Sequence, residues 1–276
     1  MSTPRPQFSS ALILSCFCLV PLCAAAETLP VVESIAGRQV ESLVIRNPAS
    51  PLVVVFEAGS RGTIAKWGKV LGGAGREATV FAYNRPGYGN SDAPTTPRDG
   101  RTVVEDLRQL LRHKGLKPPD VLVGHSLGGL YMQWFARAHP EEVKGLVLVD
   151  AMYPRVVKAP RDFPWAVRLA GRTLFSRTVW REIEKMDETV EAVLALPGID
   201  DKPIVRLVNE PKPHPGQVPP IALDLGVLRN DKASYDRVQK LYPKAKTVIV
   251  DSDHQIPLAT PEAVVDAIHE VASQPL

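Results

Sequence analysis

Cysteine is nearly missing from this chain. Of 276 residues only three are cysteine, and Cys16, Cys18 and Cys23 all fall in the opening stretch. A chain cut after that stretch carries no thiol, which excludes disulfides, thiolate metal sites and a cysteine nucleophile downstream. A charge excess is missing too. The net charge is +3 and scattered, which argues against a nucleic-acid partner. The glycines at 72, 73 and 75 have no Gly-Lys-Ser/Thr behind them and no strand leading directly in, so a phosphate cradle is excluded. The sequence shows no metal-binding constellation and no internal repeat.

What is present is an ordinary globular balance, 45% apolar and 23% charged, with enough chain for one large α/β domain and an insertion. Proline is abundant, 26 residues, and with so much apolar sequence it signals defined loops rather than disorder. Residues 1–26 read as a secretory signal: Arg5, an apolar run from Ala11 to Cys23, then Ala24-Ala25-Ala26 for cleavage. The run is short for a membrane span and broken by Pro21, which favours cleavage over a retained anchor. Leu22 before Cys23 disfavours lipidation. The expected address is periplasmic or secreted.

Leu52 to Phe56 is a continuous apolar run, and Thr79 to Tyr83, Val121 to Val123 and Val143 to Val149 are largely apolar, as in parallel strands buried on both faces. An earlier strand is expected over Val40 to Ile45. Between the buried strands lie helical patterns, such as Val103, Val104, Leu107, Leu110 and Leu111, closed by Gly115. This alternation predicts βαβ units and a mostly parallel sheet covered on both faces. From about 151 to 202 the rhythm breaks into amphipathic helices, read as a small helical cap within a domain spanning 27–276. Ile204 to Val208 and Thr247 to Val250 return to the sheet. Pro261 opens a terminal helix with Val264, Val265, Ile268 and Val271 on one face.

One stretch carries the chemistry. Gly124-His125-Ser126-Leu127-Gly128 fits G-x-S-x-G, placed between a strand and a helix. A serine in such a sharp turn projects its hydroxyl above the sheet, next to the N–H groups of the following helix. Glycines on either side avoid collisions with neighbouring backbone.

The loop Glu57-Ala58-Gly59-Ser60, the stretch Tyr83 to Asp92, this elbow and the late His254 come in one order that resembles the α/β-hydrolase superfamily. Within it the chain is similar to capped esterase- or lipase-like and peptidase-like members. The resemblance implies a Ser…acid…His triad with Ser126 as nucleophile and His254 as general base. It also implies an oxyanion hole from the backbone N–H groups of Ser60 and Leu127. Many relatives have His-Gly where this chain has Ala58-Gly59, and Asp in place of Asn84. Many also carry the acid after the strand read as Ile204 to Val208, where this chain offers Asn209, Glu210 and no aspartate. Asp150, at the end of Val143 to Val149, is therefore the preferred acid, with Glu210 as the alternative and Asp224 behind it.

Other polar residues have plainer readings. His125 occupies the variable elbow position and is expected to point elsewhere. His113 and His139 sit at helix ends, His269 on a surface helix and His214 in a loop. Glu57 and Arg61 are read as a solvated loop pair, and Arg161, Arg168 and Arg172 as one solvated helix face that would also suit anionic substrates or lipid headgroups. Phe163, Trp165 and Phe175 are expected to pack the cap or close the pocket.

The expected protein is a cofactor- and metal-independent serine hydrolase acting on small-molecule esters through an acyl-enzyme. A peptidase or amidase, an acyltransferase and a non-catalytic binding protein on the same fold stay open.

Overall fold

In a computed structural model of the chain, the described residues are 29–156, 160–210 and 232–275. The proposed signal, His214 and Asp224 lie outside them.

Eight strands form one sheet among the described residues: β1 (Val31–Ile35), β2 (Arg38–Ile45), β3 (Val53–Glu57), β4 (Thr79–Tyr83), β5 (Asp120–His125), β6 (Val143–Val149), β7 (Ile204–Asn209) and β8 (Lys246–Val250). Their order is β1-β2-β4-β3-β5-β6-β7-β8. The pairs β1–β2 and β2–β4 are antiparallel, and every other pair is parallel. The sequence-based reading omitted β1. It pairs only with β2 at the sheet edge, and its alternation covers just five residues. Every residue of β3, β4, β5 and β6 is buried, which is why these strands read as largely apolar runs.

Nine α-helices are described: α1 (Gly68–Ala74), α2 (Gly100–His113), α3 (Leu127–Ala138), α4 (Trp165–Leu174), α5 (Arg177–Glu184), α6 (Met186–Leu194), α7 (Lys232–Leu241), α8 (Ile256–Ala259) and α9 (Pro261–Ser273). Residues from α2, α3, α6 and α7 join one face of the sheet in a core that includes Leu107, Leu130, Val193 and Tyr242. The other face packs on α1 and α9 through Val70, Val264, Ile268 and Val271. Two layers of helix thus enclose the strands.

Gly72 and Gly73 lie inside α1. A Cβ on Gly73 would stand 2.7 Å from Cγ2 of Val265, so this glycine permits close helix packing rather than a turn. The insertion between β6 and β7 carries α4, α5 and α6. It is the helical cap expected there.

Candidate active site

The turn after β5 is strained. Ser126 has φ 53° and ψ −123°, a backbone conformation costly for a residue with a side chain, on the order of 1–3 kcal/mol. The surrounding chain imposes it. The Ser126 N–H donates to the carbonyl of Val149 at 3.2 Å, and the Ser126 carbonyl accepts from Gly129 at 3.0 Å and Met152 at 2.9 Å. The glycines have steric reasons. A Cβ on Gly124 would lie 2.6 Å from Cα of Gly129, and one on Gly128 would lie 2.3 Å from the Glu57 carbonyl oxygen. The elbow is therefore wedged against the loop that follows β3. Gly59 of that loop also comes close, because a Cβ there would meet Cβ of Ser126 at 2.9 Å.

Asp150 follows β6 directly, with φ 39° and its N–H donating to the Leu207 carbonyl at 2.8 Å. Its Oδ2 lies 2.6 Å from Nδ1 of His254. The structure thus brings Asp150 and His254 together beside the elbow. Glu210 is exposed, and its backbone N–H donates to the carbonyl of Val250. The residue just before it has the nearer role. With its amide nitrogen turned to the carboxylate, the orientation that satisfies both groups, Asn209 donates to Asp150 Oδ1 at 2.9 Å and Oδ2 at 3.0 Å. After β7 this chain offers a neutral donor to the acid that follows β6.

The expectation for His125 is corrected. Its ring lies 4.7 Å, centroid to centroid, from that of His254, and its Nε2 is 2.8 Å from the His254 backbone carbonyl oxygen. A carbonyl only accepts, so Nε2 carries the proton. Burial, reinforced by the neighbouring His254, depresses the His125 pKa to about 3. The ring is a neutral strut.

The reading of Glu57 and Arg61 as a loop pair is also corrected. Arg61 is exposed, whereas Glu57 is buried and bonds elsewhere. Arg85 Nη1 donates to Glu57 Oε1 at 2.5 Å, and the hydroxyl of Tyr83 donates to Oε2 at 2.5 Å. Arg85 also donates to the carbonyls of Ala58 at 2.5 Å and Gly59 at 2.9 Å. Its Nε reaches Glu182 Oε1, on cap helix α5, at 2.9 Å. The Tyr88 hydroxyl donates to the other oxygen of Glu182 at 2.7 Å. Burial opposes the charge on Arg85, but Glu182 and Glu57 more than offset it and hold its pKa well above the usual range. One buried guanidinium therefore ties the cap to the loop beside Ser126.

Trp165 is not a pocket or packing residue, being 72% exposed. Arg161 sits before α4 in a separate short turn, so it does not share a helix face with Arg168 and Arg172. One group of side chains among the described residues has metal-ligand spacing, His139, Glu141 and Glu142. It lies where β6 begins, at the edge opposite Ser126, and Arg108 already grips both oxygens of Glu142.

The chain belongs to the alpha/beta hydrolase fold family, whose model matches residues 52–199. It is 34% identical over 110 residues to a soluble epoxide hydrolase from Corynebacterium sp. (strain C12), covering 40% of this chain and 38% of that protein. It is 31% identical over 112 residues to the human (lyso)-N-acylphosphatidylethanolamine lipase, covering 38% of this chain and 31% of that one. The chain thus spans well under half the length of these curated relatives. Among solved structures, Cfl2 from Burkholderia cenocepacia superposes with a TM-score of 0.66 at 18% identity, covering 87% of this chain and 94% of that one. That likeness speaks for the fold.

Proposed function

We propose that the protein is a serine hydrolase that cleaves carboxylic esters through an acyl-enzyme. The carrying observation is the 2.6 Å contact between Asp150 Oδ2 and His254 Nδ1 beside the strained Ser126. Asp150 holds the imidazole with its proton on Nδ1, which leaves Nε2 free to act as a base. Nε2 takes the Ser126 hydroxyl proton as the oxygen attacks the ester carbonyl, and the tetrahedral oxyanion forms. Collapse expels the alkoxide, which takes the proton from the imidazolium and leaves as alcohol. Water, deprotonated by the same nitrogen, then attacks the acyl-serine; the acyl–Oγ bond breaks, Ser126 Oγ takes the proton back from the imidazolium, and the acid is released.

The oxyanion is assigned to the N–H groups of Leu127 and Ser60. Leu127 opens α3 and brings the positive end of the helix dipole. In a trans peptide the Gly59 carbonyl and the Ser60 N–H point in opposite directions. Arg85, holding that carbonyl, therefore turns the Ser60 N–H away from itself.

The epoxide hydrolase relative favours a second reading, in which an epoxide is opened. Elementary chemistry weighs against Ser126 as nucleophile there. Its attack on an epoxide carbon would leave an alkyl ether on the enzyme, with no carbonyl for water to attack, and turnover would stop after one event. Amide cleavage and acyl transfer to an alcohol use the same intermediate and differ in the leaving group and acceptor. Export through residues 1–26, with a mature start near Glu27, belongs to the same reading.

Short p-nitrophenyl esters, aminoacyl anilides and an aryl epoxide offered in parallel distinguish these activities. Ester turnover with fluorophosphonate labelling of Ser126, both lost in Ser126→Ala, is the expected result. Labelling that survives the substitution overturns the mechanism, and epoxide turnover without ester turnover replaces it.

A further inference from the structure

Cap helix α4 is scarcely attached to the protein it belongs to. Of its ten residues only Gly171 is buried. A Cβ at that position would stand 2.1 Å from Cζ3 of Trp180 on α5, so the helix backbone lies directly on the indole. The opposite side is apolar and open. There Trp165 is 72% exposed and Leu169 56%; Leu174, 80% exposed, ends the helix on the side nearer Gly171.

At 100° per residue, Trp165 and Leu169 lie on the arc facing away from Gly171, beside Thr173 and Ala166. Arg168 and Arg172 stack one turn apart along one edge of that arc. Arg172 makes a 2.9 Å pair with Glu184, itself a half-open contact, and Arg168 has no carboxylate partner among the described residues. No described helix is long and apolar enough to cross a membrane. A ten-residue helix of this pattern, about 15 Å long, has the dimensions and side chains of one lying in a bilayer interface.

We infer that α4 docks the protein on an anionic bilayer surface. Trp165 and Leu169 enter the headgroup–acyl boundary, and Arg168 and Arg172 meet lipid phosphates. The surface is a convex ridge rather than a groove. A fluid bilayer accommodates such a shape, and the adjacent arginines select negative headgroups. The docking helix is also coupled to the site. Its seat, Trp180, is on α5 two residues before Glu182, which holds Arg85 and through it the Ala58–Gly59 loop. The inference does not rest on the acyl-transfer reading.

The test is sedimentation of the full chain with vesicles of phosphatidylcholine alone or mixed with phosphatidylglycerol. The variants are Trp165→Ser/Leu169→Ser and Arg168→Gln/Arg172→Gln. The wild type is expected to bind the anionic vesicles, and less at high salt. Each double variant should lower the partition coefficient about tenfold or more. Hydrolysis of a water-soluble p-nitrophenyl ester should stay within about twofold of wild type, since none of these side chains is assigned to the machinery.

A wild type that ignores anionic vesicles overturns the inference. So does binding that both double variants retain, which would place the contact in another segment such as residues 1–28. A chain that is dimeric in solution and becomes monomeric with Leu169→Ser would assign the face to a second copy instead. Loss of soluble-ester turnover with vesicle binding intact would count against the proposed function and leave the docking surface standing.

Discussion

His125 Nε2 donates to the backbone carbonyl of His254 across 2.8 Å. The residue next to the proposed nucleophile thus holds the main chain of the proposed base, while Asp150 holds its ring. With the Asp150 contact and the Gln255 N–H on Asp253, the strut helps to set where Nε2 of His254 stands relative to Ser126.

Replacing His125 by alanine is expected to lower kcat by up to about 10²-fold with a smaller change in KM, the effect of misplacing a base by a fraction of an ångström. His125→Gln, whose amide nitrogen can reach the same carbonyl, should recover part of the loss. Equal damage in both variants would reduce His125 to a packing residue. The pH dependence gives a second reading. Unfolded histidine takes up a proton near pH 6.5, whereas His125 in the fold resists it down to about pH 3. Between those values the unfolded state binds more protons, so stability falls as pH drops through this window. The acid limb of a denaturant titration should be shallower in His125→Gln.

Asp150→Asn should cost roughly 10²–10⁴ in kcat with KM little changed, because an amide cannot stabilise the imidazolium or fix the proper tautomer. Glu210→Gln should remain within a few-fold of wild type, as the side chain is exposed. Asn209→Leu tests the second carboxylate contact. It should lower activity less than Asp150→Asn, since Asp150 keeps its contact with His254. An Asp150→Asn protein that is folded and fully active would remove Asp150 from the mechanism.

The elbow was legible because local rules converge there: an apolar strand, two glycines whose side chains would strike backbone, and a helix. Asp150 was legible as the end of a buried strand. Asn209 was in view only as a place lacking an aspartate, since sequence does not reveal that a donor can serve an acid on the neighbouring strand. Glu57 and Arg85 lie in motifs that carried the resemblance, but nothing in the sequence showed that they pair with each other and with Glu182. They are separated by 28 and 97 positions, and each resembles a surface charge until the fold buries it. The pattern of α4 was legible as amphipathic, but periodicity cannot say which arc is covered. The covered arc proved to hold only Gly171.

Asp120 supplies a stability prediction independent of the active site. It begins β5, is buried, and its Oδ1 has no hydrogen-bond partner. Burial, with some help from Glu142, lifts its pKa to about 7. In the unfolded chain it ionises near pH 4. Between these values the folded state holds a proton that the unfolded state releases, so this group's contribution falls as pH rises and levels off above 7. Asp120→Asn should therefore be the more stable protein at pH 8, by on the order of a few kcal/mol at most, and nearly equal to wild type at pH 4. Denaturant midpoints across this range decide it. A difference that grows toward acid would mean that the carboxylate is stabilised in the fold.

The buried set of Glu57, Arg85 and Glu182 separates stability from catalysis. Removing one carboxylate, as in Glu182→Gln, leaves the guanidinium with an incomplete set of partners in a site closed to water. The expected loss is a few kcal/mol, in the range of about 3–5 kcal/mol seen when a buried pair is broken. It should be accompanied by a drop in kcat, because the donor to the Ala58 and Gly59 carbonyls is no longer anchored to the cap. Removing all three charges together, as Glu57→Gln/Arg85→Met/Glu182→Leu, tests what the set is for. No buried charge is then left unpaired, so much of the lost stability should return. Activity should not, since methionine donates no hydrogen bond to either loop carbonyl and the Ser60 N–H is no longer held in direction. If the triple variant recovered activity along with stability, the Arg85 hydrogen bonds would be structural packing and the assignment of Ser60 to the oxyanion would fall with them.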